Sequence, residues 1–177
     1  MALLILLITG TVLLGSILVI IFIFSATIWG DLQGAPFVRS RKDRIRTMLE
    51  LADIRQGTRV LELGSGDATL VIAAAKKGAN AQGVEINPFL VWYSGRKIKR
   101  AGLQANIQII REDFYHLSLS EKNPDVVFLY LLPRTLQKIK EKLLVELKPG
   151  TRIISNAFHI EGFTPSLHRD GVYLYRL

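Results

Sequence analysis

The chain has 177 residues and no cysteine. That is enough chain for one domain with a real core, and it excludes disulfides, cysteine-ligated zinc and thiol catalysis. Its net charge of +8 is concentrated in residues 39–46 and 96–100, with the rest of the chain neutral overall, whereas a nucleic-acid groove would spread its charge more widely, so no nucleic-acid partner is expected.

Residues 2–29 carry no charge and are dominated by Leu, Ile, Val and Phe. About 20 such residues suffice to cross a bilayer, so the run predicts a single transmembrane anchor. Gly10, Gly15 and Ser16 suit a packing face within lipid, and Trp29 stands where an interfacial aromatic belongs. A cleaved signal peptide fits less well, because no Lys or Arg precedes the run and the run is long for such a peptide. Residues 30–38 read as a linker. Arg39, Arg41, Lys42, Arg44 and Arg46 follow it, and the positive-inside rule then puts the domain, residues 39–177, on the cytoplasmic side. The expectation is a single-pass membrane protein whose basic segment meets anionic headgroups.

Within the domain, Ile45, Met48, Leu49 and Ala52 recur at helical spacing, predicting a helix from about Arg39 to Ile54 that ends before Gly57. Residues 59–63 read as a strand and 67–77 as a helix closed by Gly78. Residues 81–86 form a second strand. Asn87 and Pro88 then cap and open a helix running to about Ala101, expected to bury Phe89, Leu90 and Trp92, with the cations at 96–100 complementing its dipole. Strands are expected at 106–111, 125–130 and 152–156, with a helix from Leu132-Pro133 to about Leu147. An antiparallel strand at 172–177 completes the domain. Alternating strands and helices imply an α/β fold: a Rossmann-like, doubly wound, mostly parallel sheet.

The run VLELGSGDA, residues 60–68, is a strand breaking into a turn of small residues before a helix, the arrangement of a nucleotide-cofactor site. Gly64 and Gly66 let the backbone turn sharply beside a ligand. Glu62 lies inside an apolar strand, where a charge is costly without a partner. A dinucleotide GxGxxG fails because Thr69 holds the third glycine position, GxSxG fails at Leu63, and no Walker A lysine follows. The three histidines, His116, His159 and His168, lack metal-ligand spacing, and no metal is expected.

The remaining pattern, Glu62-x-Gly64-x-Gly66-x-Ala68, resembles motif I of the class I S-adenosylmethionine-dependent methyltransferases, with Ala68 where a third glycine is usual. Glu85, 21 residues after Gly64, stands where an acid would accept hydrogen bonds from both ribose hydroxyls. Glu112-Asp113-Phe114 follows the third strand, where the superfamily has an acid for the adenine amino group and an apolar wall. The segment LKPGTRII before the fifth strand is also similar to the superfamily's pattern. The resemblance implies S-adenosylmethionine as cofactor, held by Glu62, Gly64, Ser65, Gly66, Glu85, Asn87, Asp113 and Phe114. Ala68 is expected to shift the first helical turn slightly without loss of binding.

LGSGDA, VEINPFLVWYS, EDF and the late FTP (Phe163–Pro165) together resemble the small family of membrane-anchored protein lysine methyltransferases. Its mitochondrial members modify the adenine nucleotide translocase and the ATP synthase c subunit, and it has archaeal relatives of broad specificity. The resemblance implies protein-lysine N-methylation at the cytoplasmic membrane surface, with a membrane protein as substrate. Tyr130, Pro133, Asn156 and Phe158 are expected to wall the acceptor site at the carboxyl ends of the fourth and fifth strands. Tyr130-Leu131-Leu132-Pro133 stands where many lysine methyltransferases of the superfamily carry Asp or Asn before Pro-Pro, so no catalytic residue is assigned. A methyltransferase for a small lipophilic or lipid-linked substrate and a non-catalytic S-adenosylmethionine-binding module are the alternatives.

Overall fold

The computed structural model describes residues 9–20 and 38–177. The chain divides into two units, Met1–Phe37 and Val38–Leu177. In the first, residues 9–20 are helical (α1). Val12, Leu13, Leu14, Ile17, Leu18, Val19 and Ile20 are all exposed, and the Ser16 hydroxyl is satisfied within the helix by donating to the Val12 carbonyl at 2.9 Å. The expected span 2–29 extends beyond the described residues on both sides, and of the expected linker only Val38 is described. Among the described residues, no helix is long and apolar enough to cross a membrane.

The second unit holds α2 (Lys42–Leu51), β1 (Arg59–Leu63), α3 (Thr69–Ala75), β2 (Asn80–Val84), α4 (Pro88–Arg100) and β3 (Ile107–Ile110). There follow α5 (Leu119–Lys122), β4 (Val126–Leu129), α6 (Pro133–Glu146), β5 (Arg152–Asn156), β6 (Leu167–Arg169) and β7 (Val172–Arg176). The strands form one seven-stranded sheet in the order β3-β2-β1-β4-β5-β7-β6. β1 to β5 are parallel, while β7 runs antiparallel to both β5 and β6. The order reverses between β1 and β4, and in open α/β sheets the crevice beyond the carboxyl ends of the strands at such a point receives the ligand.

Side chains alternate across the sheet, so both faces need cover. Val60, Phe128 and Ile154 join Met48 of α2, Val71 and Ala74 of α3 and Ile98 of α4 on one face. Leu61, Leu63, Val127, Leu129 and Ile153 join Leu136, Ile139 and Leu143 of α6 on the other. Glu62 is placed among these apolar neighbours and is buried, whereas Arg59, the other charged residue of β1, is exposed at the strand's start.

β1 and β5 have the expected bounds, and β7 is antiparallel as expected. Four expectations change. The first helix starts at Lys42 rather than Arg39, leaving residues 38–41 outside it. Glu85 lies just past β2 instead of ending it. β6 and the short α5 are additional elements, each too brief to show a period. Most consequentially, α4 buries only Ser94 and Ile98, with Leu90 half-buried, and leaves Phe89 and Trp92 exposed. The helix covers the edge strand β3 with its opposite side, so its aromatic side has no second layer to meet among the described residues.

Ala68 is the N-cap of α3 and adopts the left-handed conformation, φ 58° and ψ 22°, with no side chain capping the helix from that position. The irregular residue therefore bears strain, in a backbone region that costs an L-residue roughly 1–2 kcal/mol. Ala68→Gly is expected to stabilise the domain by about 0.5–1 kcal/mol, the strain relief being partly offset by glycine's chain entropy, as checked by thermal denaturation.

Candidate active site

The turn after β1 is tied to the end of β2. The amides of Gly64 and Ser65 both donate to the Val84 carbonyl at 2.9 Å. Gly64 and Gly66 have φ of +77° and +54°, values that glycine adopts without strain. The turn also presses on Gly83 from above: a Cβ there would lie 2.6 Å from Ser65 Oγ and 2.7 Å from Ser65 Cβ. Gly83 is a residue that the motif reading passed over, because its requirement is created by a neighbouring strand and not by its own.

Glu85 couples this turn to α4. One carboxylate oxygen accepts from the Gly66 amide at 2.9 Å and the other from the Asn87 amide at 2.8 Å. Each oxygen keeps a further lone pair for a hydroxyl donor. Asn87 caps α4 as expected, accepting from the Phe89 and Leu90 amides at 2.9 and 3.4 Å. Beyond β3, Asp113 accepts from the Tyr115 amide at 2.9 Å, and His116 Nδ1 stands 3.6 Å from its other oxygen. The Phe114 and Tyr115 rings meet at 4.8 Å and pack on the α6 side of the core.

Two more acids flank the glycine turn, and their surroundings shift them in opposite directions. Burial pushes the Glu62 carboxyl well above the usual carboxylate range, and nearby Asp67 and Glu85 push it further, while the Val71 amide opposes the shift. Val71 lies in the first turn of α3. Burial acts in the same upward direction on Asp67, but hydrogen bonds from Thr69 and Lys97 outweigh it and hold Asp67 below its usual range. Asp67 receives the Thr69 hydroxyl at 2.6 Å, Lys97 Nζ at 2.9 Å and Arg39 Nη2 at 2.9 Å. Arg39, Asp67 and Lys97 were not among the expected site residues. The two cations belong to the basic clusters, and only the fold brings them to one acid.

Two buried polar atoms of this region have no partner among the described residues: Glu62 Oε2 and Ser65 Oγ. Native interiors rarely leave such atoms unpaired, so their clustering at a glycine turn fits a polar ligand bound there. The expected acceptor residues lie at or just after the carboxyl ends of the paired strands β4 and β5, apart from Pro133 in α6. Tyr130 and Phe158 are half-buried, and Pro133 is exposed as the first residue of α6. Asn156 is buried, and its amide donates to Ser40 Oγ at 3.4 Å. The approach segment 38–41 therefore reaches both the glycine turn, through Arg39, and the end of β5, through Ser40.

Fold and site together define a class I, S-adenosylmethionine-dependent methyltransferase. Residues 62–167 match the model of the ANTKMT methyltransferase domain, and the chain belongs to that family. It is 36% identical over 132 residues to a protein-lysine N-methyltransferase of Saccharolobus islandicus (strain REY15A), covering 73% of this chain and 81% of the relative. It is 34% identical over 131 residues to the adenine nucleotide translocase lysine N-methyltransferase of Mus musculus, covering 73% of this chain and 56% of that protein, so the chain spans about half the mouse relative's length. A crystal structure described as an RNA methyltransferase from Salinibacter ruber, in complex with S-adenosyl-L-homocysteine, superposes with a TM-score of 0.73 at 36% identity. That match covers 78% of this chain and 92% of the Salinibacter one. The cofactor is S-adenosylmethionine.

Gly83→Ala is expected to displace the Ser65 turn and weaken cofactor binding at least about tenfold by calorimetry, with the sheet's circular dichroism retained. Glu62 has a raised folded-state pKa, so its contribution to stability is complete below the unfolded value and is lost as pH rises toward the folded one. Relative to the native chain, Glu62→Gln should therefore gain about 3 °C in Tm between pH 4.5 and pH 8, as followed by thermal unfolding.

Proposed function

We propose that this chain transfers a methyl group from S-adenosylmethionine to the ε-amine of a lysine in a membrane protein, at the cytoplasmic membrane surface. The observation that carries the cofactor half is the Glu85 clamp on Gly66 and Asn87, beside the unpaired Glu62 and Ser65 oxygens. Likeness to the Saccharolobus lysine methyltransferase supports the acceptor half. The uncharged run 2–29 followed by the basic residues 39–46 supports a single-pass anchor, a linker at 30–38 and a domain at 39–177 on the cytoplasmic side.

In this reading Glu62, Gly64, Ser65 and Gly66 hold the cofactor along the turn, Glu85 accepts the ribose hydroxyls, and Asp113 with Phe114 receives the adenine. Asn87 fixes the start of α4 beside them. When bound, the cofactor supplies an electrophilic methyl on a positively charged sulfur. Methyl transfer is an in-line displacement, so alignment does most of what a protein must do. The acceptor lysine has to lose a proton whose solution pKa is about 10.4. The half-buried rings of Tyr130 and Phe158 exclude water from the acceptor's approach, which disfavours the ammonium form. The Tyr130 hydroxyl orients the amine, and Pro133 and Asn156 complete the walls.

The description of the Salinibacter structure favours a second reading, RNA methylation. Against it stands the confinement of the net charge to two short clusters, without a basic groove across the domain.

Full-length enzyme with labelled S-adenosylmethionine, membranes of the source cells and total RNA separates the readings. Label recovered as methyl-lysine in membrane proteins is the expected result; label in RNA or in the organic extract would overturn the proposal. Tyr130→Phe should lower kcat/KM for the acceptor about tenfold while leaving cofactor affinity within about twofold, a split that calorimetry and initial rates resolve.

A further inference from the structure

α4 presents a composite face that the cofactor site does not use. Phe89 and Trp92 are 63% and 52% exposed. Their rings lie 5.8 Å apart, Phe89 stacks on Tyr93 at 6.4 Å, and the Arg96 guanidinium sits over Trp92 at 4.4 Å. Lys99 and Arg100 are exposed one turn further on. Positions 89, 92, 93, 96, 99 and 100 share one side of a helix by its 3.6-residue period. The helix contains no Asp or Glu. Lys97 is committed to Asp67 and Thr69, but Arg96, Lys99 and Arg100 have no ion pair among the described residues.

Two large aromatics held out of the core, followed by unpaired cations, have the chemistry of a helix that lies in a membrane interface: apolar bodies enter the headgroup boundary while guanidinium and ammonium groups meet phosphates. We propose that this face of α4 docks on an anionic lipid surface. The charges are complementary, and the chain itself carries the uncharged run 2–29, separated from Arg39 by nine residues that extend to roughly 30–35 Å at most. A lipid surface that takes that run is one the domain meets continuously. Nucleic acid fits less well, because bases stack on free ring faces. Here Arg96 covers one face of Trp92, and Tyr93 one face of Phe89.

Docking has a consequence for the site. Glu85 holds the Asn87 amide that begins α4, so the aromatic end of the helix is fixed to the carboxyl edge of β2. A docked α4 sets that edge of the cofactor site at the bilayer surface. The proposal shares with the proposed function only the membrane, and its readout needs no methyl transfer, so either can fail alone.

Trp29 and Trp92 are the two tryptophans of the chain, so the full-length Trp29→Phe variant reports on Trp92 only. It is reconstituted in phosphatidylcholine vesicles, alone or with about 30 mol% phosphatidylglycerol, with brominated acyl chains as quencher. Trp92 fluorescence is expected to be quenched in the anionic vesicles, more weakly in the neutral ones, and less as salt approaches about 0.5 M. Adding Arg96→Ala, Lys99→Ala and Arg100→Ala should return quenching to the neutral-vesicle level while cofactor affinity by calorimetry stays unchanged. Trp92 emission that is equally unquenched in both vesicles overturns the proposal. Emission that responds to added RNA or to an acceptor protein, but not to lipid, overturns it as well and reassigns the face.

Discussion

The domain's site depends on one carboxylate. Glu85 accepts the Gly66 amide with one oxygen and the Asn87 amide with the other, so the turn after β1 and the start of α4 are positioned against each other by a single side chain. Hydrogen bonds to a carboxylate are about twice as strong as neutral ones, and this residue is sheltered from water. The Val84 carbonyl adds a second tie by receiving Gly64 and Ser65. Because β1 and β2 are paired in parallel, these contacts make the glycine turn part of the sheet's carboxyl edge, although it is formally a loop.

This arrangement puts three acids around one turn, and their environments drive two of them apart. Glu62 is surrounded by apolar neighbours and other acids, which favour its protonated form. Asp67 is buried too, but Thr69, Lys97 and Arg39 surround it with donors and keep it ionised. Shifts in opposite directions reduce the repulsion that two buried charges side by side would create. Arg39 gives the network a further property. It joins the approach segment to the cofactor turn, while Ser40 joins the same segment to Asn156. The chain entering the domain thus touches both the glycine turn and the end of β5.

The helices differ in what they do for the site. α3 is short, starts at a strained alanine and has its first amide, that of Thr69, satisfied by Asp67. α4 is well capped by its own Asn87, and its mutual ring contacts hold Phe89, Trp92 and Tyr93 as one apolar surface outside the core. The first gives up local stability at a strained turn; the second leaves its aromatic side outside the domain's core.

Much of this was written in the order of residues. Parallel β-strands buried on both faces read as short apolar runs, Asn-Pro announces a helix, and glycines two apart after a strand announce the turn. Those are local signals, so β1, β5, the glycine turn and the start of α4 were all legible. What the chain order could not decide depends on neighbours far along it. Gly83 matters only because Ser65 folds onto it, and Arg39 and Lys97 look like members of basic clusters until the sheet brings both to Asp67. Phe89 and Trp92 have the spacing of a buried face, yet burial needs an opposing layer, and the edge position of β3 provides none. The sequence by itself determined most of the elements and the glycine turn, because hydrophobic period and backbone freedom act within a few residues. The tertiary structure decided the ionisation of the acids and the exposed face of α4, because electrostatics and burial depend on what packs alongside.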